Sequence, residues 1–146
     1  MKLGLLLLSL FAASLAFADE EFADASLIQL LATPEKFNGK RVRVSGYLRV
    51  EFEGNALYLS KDAADNIISE HALWTDYAEH PSLEPATRPK GKQPKLADFD
   101  ARFVLIEGTF DATRRGHMGE FSGTIRDITR VMELIRYYDG RIHLRK

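Results

Sequence analysis

The sequence predicts a mainly β domain that opens on a short helix. Three observations carry this expectation. First, Arg41–Glu53 alternates for thirteen residues, with Val42, Val44, Gly46, Leu48, Val50 and Phe52 on one side and Arg41, Arg43, Ser45, Tyr47, Arg49, Glu51 and Glu53 on the other. Second, Arg102–Asp111 repeats the period with apolar residues on both faces for half its length. Third, Asn38-Gly39 and Gly54-Asn55 bracket the first run with turn dipeptides.

The elements follow in order. Met1–Ala18 has the form of a secretory signal peptide, with Lys2, the apolar Leu3–Phe11 and a small-residue cleavage site at Ala16-Phe17-Ala18. Its apolar run is too short to span a bilayer. A helix follows, because Ser26 and Gln29 have the spacing of a capping box and Leu27, Leu30 and Leu31 share a face. Pro34 ends it. The first strand is Arg41–Glu53, in which Gly46 fits a coil or the close approach of another segment. Ala56–Ser60 is the return strand of a hairpin. Ser60 then caps a short helical stretch with Ala63, Ala64, Ile67 and Ile68 as its apolar side, and His71–Tyr77 is a third strand. Between Ala78 and Asp98 lie four of the five prolines, which predicts an extended surface loop. Its segment Arg88–Lys95 holds four cations and no acid: a solvated loop, or a docking arm for an acidic partner. Arg102–Asp111 is the fourth strand, Arg114–Gly119 a loop, and Phe121–Val131 a fifth strand whose broken period between Ile125 and Ile128 suggests a bulge. In the tail, Ile128, Val131, Met132 and Ile135 have helical spacing, whereas Asp139-Gly140 suits a hairpin. The expected core is Val42, Val44, Leu48, Val50, Phe52, Leu105, Ile106 and Phe110, with Arg43, Arg49 and Glu51 in solvent.

Composition narrows the function. Without residues 1–18 the chain has 128 residues, enough for one domain, Asp19–Lys146, and carries 19 basic against 21 acidic side chains. That balance disfavours nucleic acid as a partner. With no cysteine there is no disulfide, no thiol nucleophile and no thiolate metal site.

Five strands, a long coiled first strand with a central glycine and a hairpin after it suit a five-stranded OB-like Greek-key barrel with a short N-terminal helix. The stretches Pro34–Val44, Glu51–Leu59 and Gly116–Gly123 resemble a family of exported bacterial proteins similar to tRNA-anticodon-binding OB barrels. The resemblance covers roughly Ser26 to Arg130 and implies the fold and export. It supplies no catalytic residue. Where many such barrels place a helix between the third and fourth strands, this chain has its proline-rich segment.

The first candidate site is Arg114-Arg115-Gly116-His117-Met118-Gly119-Glu120, which gathers two arginines, a histidine and two glycines. It can hold an anion, or be a glycine turn pinned by a hydrogen-bonding histidine. It lacks the Lys-Ser/Thr of a phosphate-binding P-loop. Tyr47, on the outward face of the first strand, with Tyr58 and Trp74 beside it, would offer flat contact area. Packing is the competing role for Trp74. His71, His80, His117 and His143 are too scattered for a metal site, and Asp62 with Asp65 lacks the further ligands of a calcium loop. Ser45 and Ser122 sit in no nucleophile elbow. Glu51 and Glu53 share a face, which is usual for solvated surface and would also suit paired-carboxylate chemistry.

The expectation is therefore an exported, non-enzymatic binding or interaction module of the bacterial envelope, periplasmic or secreted. Its site would lie between the Glu53-Gly54-Asn55 turn and the Arg114–Glu120 loop. The expected partner is an envelope protein or a small neutral or zwitterionic ligand, with no nucleic acid, cofactor, metal or membrane span. A small hydrolase working at His117 is the alternative.

Overall fold

A computed structural model describes residues 21–52, 54–87, 91–136 and 142–143. Met1–Ala18, read from sequence as a signal peptide, Glu53, the first three residues of the Arg88–Lys95 segment and the Asp139-Gly140 turn lie outside these residues. The chain opens with a two-residue strand, β1 (Ala23–Asp24), and the helix α1 (Leu27–Ala32). The capping box forms as the spacing requires: Ser26 Oγ accepts from Gln29 N at 3.2 Å, and Gln29 Oε1 accepts from Ser26 N at 2.8 Å. Leu27 and Leu30 are buried.

Strand β2 (Arg41–Arg49) buries Val42, Val44 and Leu48, so its register is the one the alternation predicts. A Cβ on Gly46 would stand 2.7 Å from Leu57 Cγ and 2.8 Å from the Tyr58 carbonyl oxygen, which explains the glycine. The strand stops four residues earlier than the sequence suggests. Asp100 Oδ1 takes hydrogen bonds from Val50 N at 2.8 Å and Arg49 Nε at 3.2 Å, and these turn the chain away from the sheet. Phe52, expected in the core, is consequently 93% exposed, and Val50 is only half-buried. Arg43 and Arg49, expected in solvent, are half-buried by their ion pairs, whereas Glu51 is exposed.

The hairpin partner is β3 (Ala56–Tyr58), and Ser60 Oγ caps α2 (Lys61–Asp65) by accepting from Ala63 N at 3.1 Å. Ile67, expected on the packed side of this helix, is exposed. Strand β4 (Ala72–Glu84) corrects a second expectation, because it runs through Pro81 into the segment read as loop. Its ladder to β6 (Thr124–Glu133) shifts register between Tyr77 and Ser82, so the proline falls where the regular pairing lapses. A 3-10 turn at Leu96–Phe99 then sends Phe99 into the core. Strand β5 (Arg102–Asp111) has the bounds the sequence suggests. The bulge in β6 falls at Asp127, which has φ +51°. The tail is not helical: β6 continues to Glu133, and β7 (Ile135–Arg136) pairs antiparallel with β8 (Ile142–His143).

The fold is mainly β, with two short helices. The main sheet has six strands in the order β1-β2-β3-β4-β6-β5, and β2 pairs with β5 as well. Each of β2, β3, β4, β5 and β6 therefore has two neighbours among the other four. The β4–β6 and β1–β2 pairs are parallel, and the rest of this sheet is antiparallel. Its main core joins Leu30, Val42, Leu48, Leu73, Phe99, Ile106, Phe110 and Ile125. On the outer side, charges alternate across the strands: Asp24 pairs with Arg43, Arg43 with Glu107, Glu107 with Arg130, and Arg130 with Glu84. Among the described residues no helix is long and apolar enough to cross a membrane.

Candidate functional site

The loop between β5 and β6 is fixed at its base before any ligand is considered. Asp111 Oδ1 accepts from Thr113 N at 2.9 Å, Thr113 Oγ1 at 2.7 Å and Arg114 N at 3.2 Å. These donors, foremost the Thr113 hydroxyl, hold the Asp111 carboxyl below the usual carboxylate range, helped by Arg126 at 3.6 Å. Further along, Thr124 Oγ1 donates to the Arg114 carbonyl at 2.9 Å, and Phe121 N donates to the Arg115 carbonyl at 3.2 Å. The chain between these clamps crosses the Trp74 indole at Gly116, whose φ of +64° and ψ of −155° lie in a region nearly restricted to glycine. A 3-10 turn at His117–Gly119 completes the loop, with Met118 (φ +55°) 81% exposed.

This path forms a cleft of about 330 Å³ lined by Trp74, Arg114, Arg115, Gly116 and His117. Four of the residues singled out from sequence thus meet. Trp74 is half-buried, held edge-on to Phe121 with ring centroids 5.3 Å apart, so packing and cleft lining are both parts of its role. Arg114 Nη1 is paired with Asp76 Oδ2 at 3.3 Å. The side chains of Arg115 and His117 are exposed and make no hydrogen bond or ion pair among the described residues. Glu120 is exposed on the same loop and does not line the cleft.

Tyr47 and Tyr58 do not floor an open face. Both point away from the main core, as the alternation requires, but α2 roofs them through Ala63 and Ala64, and Phe121 closes the side. Each is only 5% exposed. Burial, then the charges of Glu51 and Glu120, push the Tyr58 phenol up. Asp76 and Asp111 escaped the sequence reading. The Asp-x-Thr spacing at Asp111–Thr113, typical of a side chain bonding its own following backbone, was the available signal for the second.

No group of three or more His, Asp or Glu among the described residues is placed to hold a metal ion. Ser122 Oγ donates to the Glu70 carbonyl at 2.7 Å, and the Glu51 carboxylate pairs with Arg49. A second cleft of about 730 Å³ lies by Pro85, Arg102, Glu133 and Leu134; Arg102 faces Glu133 there at 3.8 Å. Comparison of the chain with family models, characterised proteins and solved structures gives no match.

Proposed function

We propose that β2–β6 form an OB-like Greek-key barrel and that the chain is an exported, non-enzymatic binding or interaction module of the bacterial envelope. In support of the barrel, the pairings run β2–β3–β4–β6–β5–β2, with β4–β6 parallel. α1 packs Leu27 and Leu30 into the same core. In an OB barrel the loop between the fourth and fifth strands borders the usual ligand face, and here that loop carries the cleft.

The observation that carries the binding role is Arg115 and His117, without a side-chain partner among the described residues, beside Trp74 on a loop whose backbone is clamped at both ends. The clamped backbone lowers the cost of ordering the loop on binding, and the two exposed side chains give up no internal polar contact among the described residues. A hydrolase at His117 would need the imidazole set by a second group. No side chain among the described residues hydrogen-bonds to the His117 imidazole.

The test is an NMR titration of the 15N-labelled protein with the low-molecular-weight fraction of a bacterial envelope extract. Shifts confined to residues 112–123 and the Trp74 indole N–H support the reading. Shifts elsewhere, or turnover of an ester or phosphoester substrate abolished by His117→Ala, refute it.

A further inference from the structure

The chemistry of the cleft narrows its ligand, given the reading of the cleft as the binding site. Its fixed charges are Arg114, Arg115 and Asp76, which leave one net positive charge before His117 is counted. Arg114 is committed to Asp76 at 3.3 Å, so Arg115 carries the open guanidinium fork, a geometry suited to a planar two-oxygen anion. Glu120 stands exposed on the same loop, and Asp76 already neutralises Arg114. A dianion would therefore meet more repulsion here than a monoanion. The apolar lining is the Trp74 indole, which offers flat contact and no acceptor. A volume of about 330 Å³ is at the lower end of small-molecule sites and admits one ring or one side chain.

We propose that this cleft binds a carboxylate monoanion carried on a planar or apolar group of about amino-acid size, with the carboxylate on Arg115 and His117 and the body against Trp74. Such a group exists both as a free small acid and as the terminal residue of a peptide, and the two sources share the recognition chemistry. A neutral ligand would leave Arg115 unmatched.

Trp74 is the chain's single tryptophan, so its indole N–H gives one resonance that reports on this cleft alone. The experiment titrates the 15N-labelled protein with benzoate, benzamide, benzylammonium, phenyl phosphate and N-acetylphenylalanine at about 150 mM salt. Saturable shifts of the Trp74 indole N–H with benzoate or N-acetylphenylalanine, at least tenfold tighter than with benzamide, are expected. Tighter binding of N-acetylphenylalanine assigns the carboxylate to a chain terminus, and tighter binding of benzoate assigns it to a small acid. Arg115→Ala should weaken the better acid by about tenfold or more, the usual worth of a charge-assisted hydrogen bond. Arg102→Ala, in the other cleft, should leave it unchanged. Benzamide or benzylammonium equalling benzoate overturns the carboxylate assignment, and phenyl phosphate exceeding it tenfold overturns the monoanion. Silence of the indole and of residues 112–123 toward all five probes, while an envelope fraction still shifts them, also overturns the carboxylate assignment. Silence toward both overturns the cleft as the binding site.

Discussion

Gly116 lies against Trp74: a Cβ at this glycine would stand 2.7 Å from both Cβ and Cγ of the tryptophan. Backbone conformation and contact exclude a side chain together, since φ is +64°. The loop and the indole are thus one unit, and the cleft has the shape this contact imposes.

Gly116→Ala should therefore cost on the order of 2 kcal/mol, combining backbone strain with overpacking. Gly119→Ala shares the positive φ, at +75°, but meets no atom within 4 Å, and should cost about 1 kcal/mol or less. Urea unfolding of the two variants checks the difference. Equal losses would remove the Trp74 contact as the reason for the glycine.

The core assignment separates two apolar residues that sequence placed together. Leu48 is fully buried and Phe52 is 93% exposed. Leu48→Ala should cost about 3 kcal/mol, against less than about 0.5 kcal/mol for Phe52→Ala. A large loss at Phe52 would restore the longer strand.

Glu107 is 6% exposed and accepts from Arg43 Nε at 2.8 Å and Arg130 Nη1 at 3.3 Å. Removing it leaves two arginines facing one another. Glu107→Ala should cost about 2 kcal/mol, less than a fully buried pair because both arginines keep solvent contact. A double-mutant cycle with Arg43→Ala should show coupling of about 1 kcal/mol. Zero coupling would make the pairing incidental.

Burial pushes the Tyr77 phenol up to about 12, against the opposing influence of the Thr75 hydroxyl. The folded chain holds this proton after the unfolded chain has lost it. The stabilising contribution is whole below about pH 10 and is lost as pH rises toward 12. The phenolate absorbance titration should show a late step near pH 12 that Tyr77→Phe removes, and the variant's stability should fall less steeply between pH 10 and 12. A titration unchanged by the substitution would contradict this.

Much of the β framework was legible because its signals are local. Val42, Val44 and Leu48 alternate with charged neighbours, Ser26 and Gln29 cap within one turn, and Gly46 marks a close approach. What sequence missed depends on distant partners. Asp100 ends β2 from about fifty residues away, and β6 recruits the chain beyond Pro81 into β4. In the site, the Arg114–His117 cluster was visible as composition. Alternation set Tyr47 off the face that carries Val42, Val44 and Leu48, but the roof of Ala63 and Ala64 over Tyr47 and Tyr58 is a tertiary contact that alternation does not encode. Asp76 joins the cleft only through the fold.

The most direct test replaces Arg115 and His117 by alanine together and measures melting temperature and benzoate or N-acetylphenylalanine binding on the same sample. Both side chains are exposed and make no internal polar contact among the described residues. The melting temperature should move by less than about 4 °C, within the range for a sub-kcal/mol change in a domain of this size, while binding falls at least tenfold. Binding at full affinity, or a melting loss large enough to account for the binding loss, would contradict the assignment of this cleft as the ligand site.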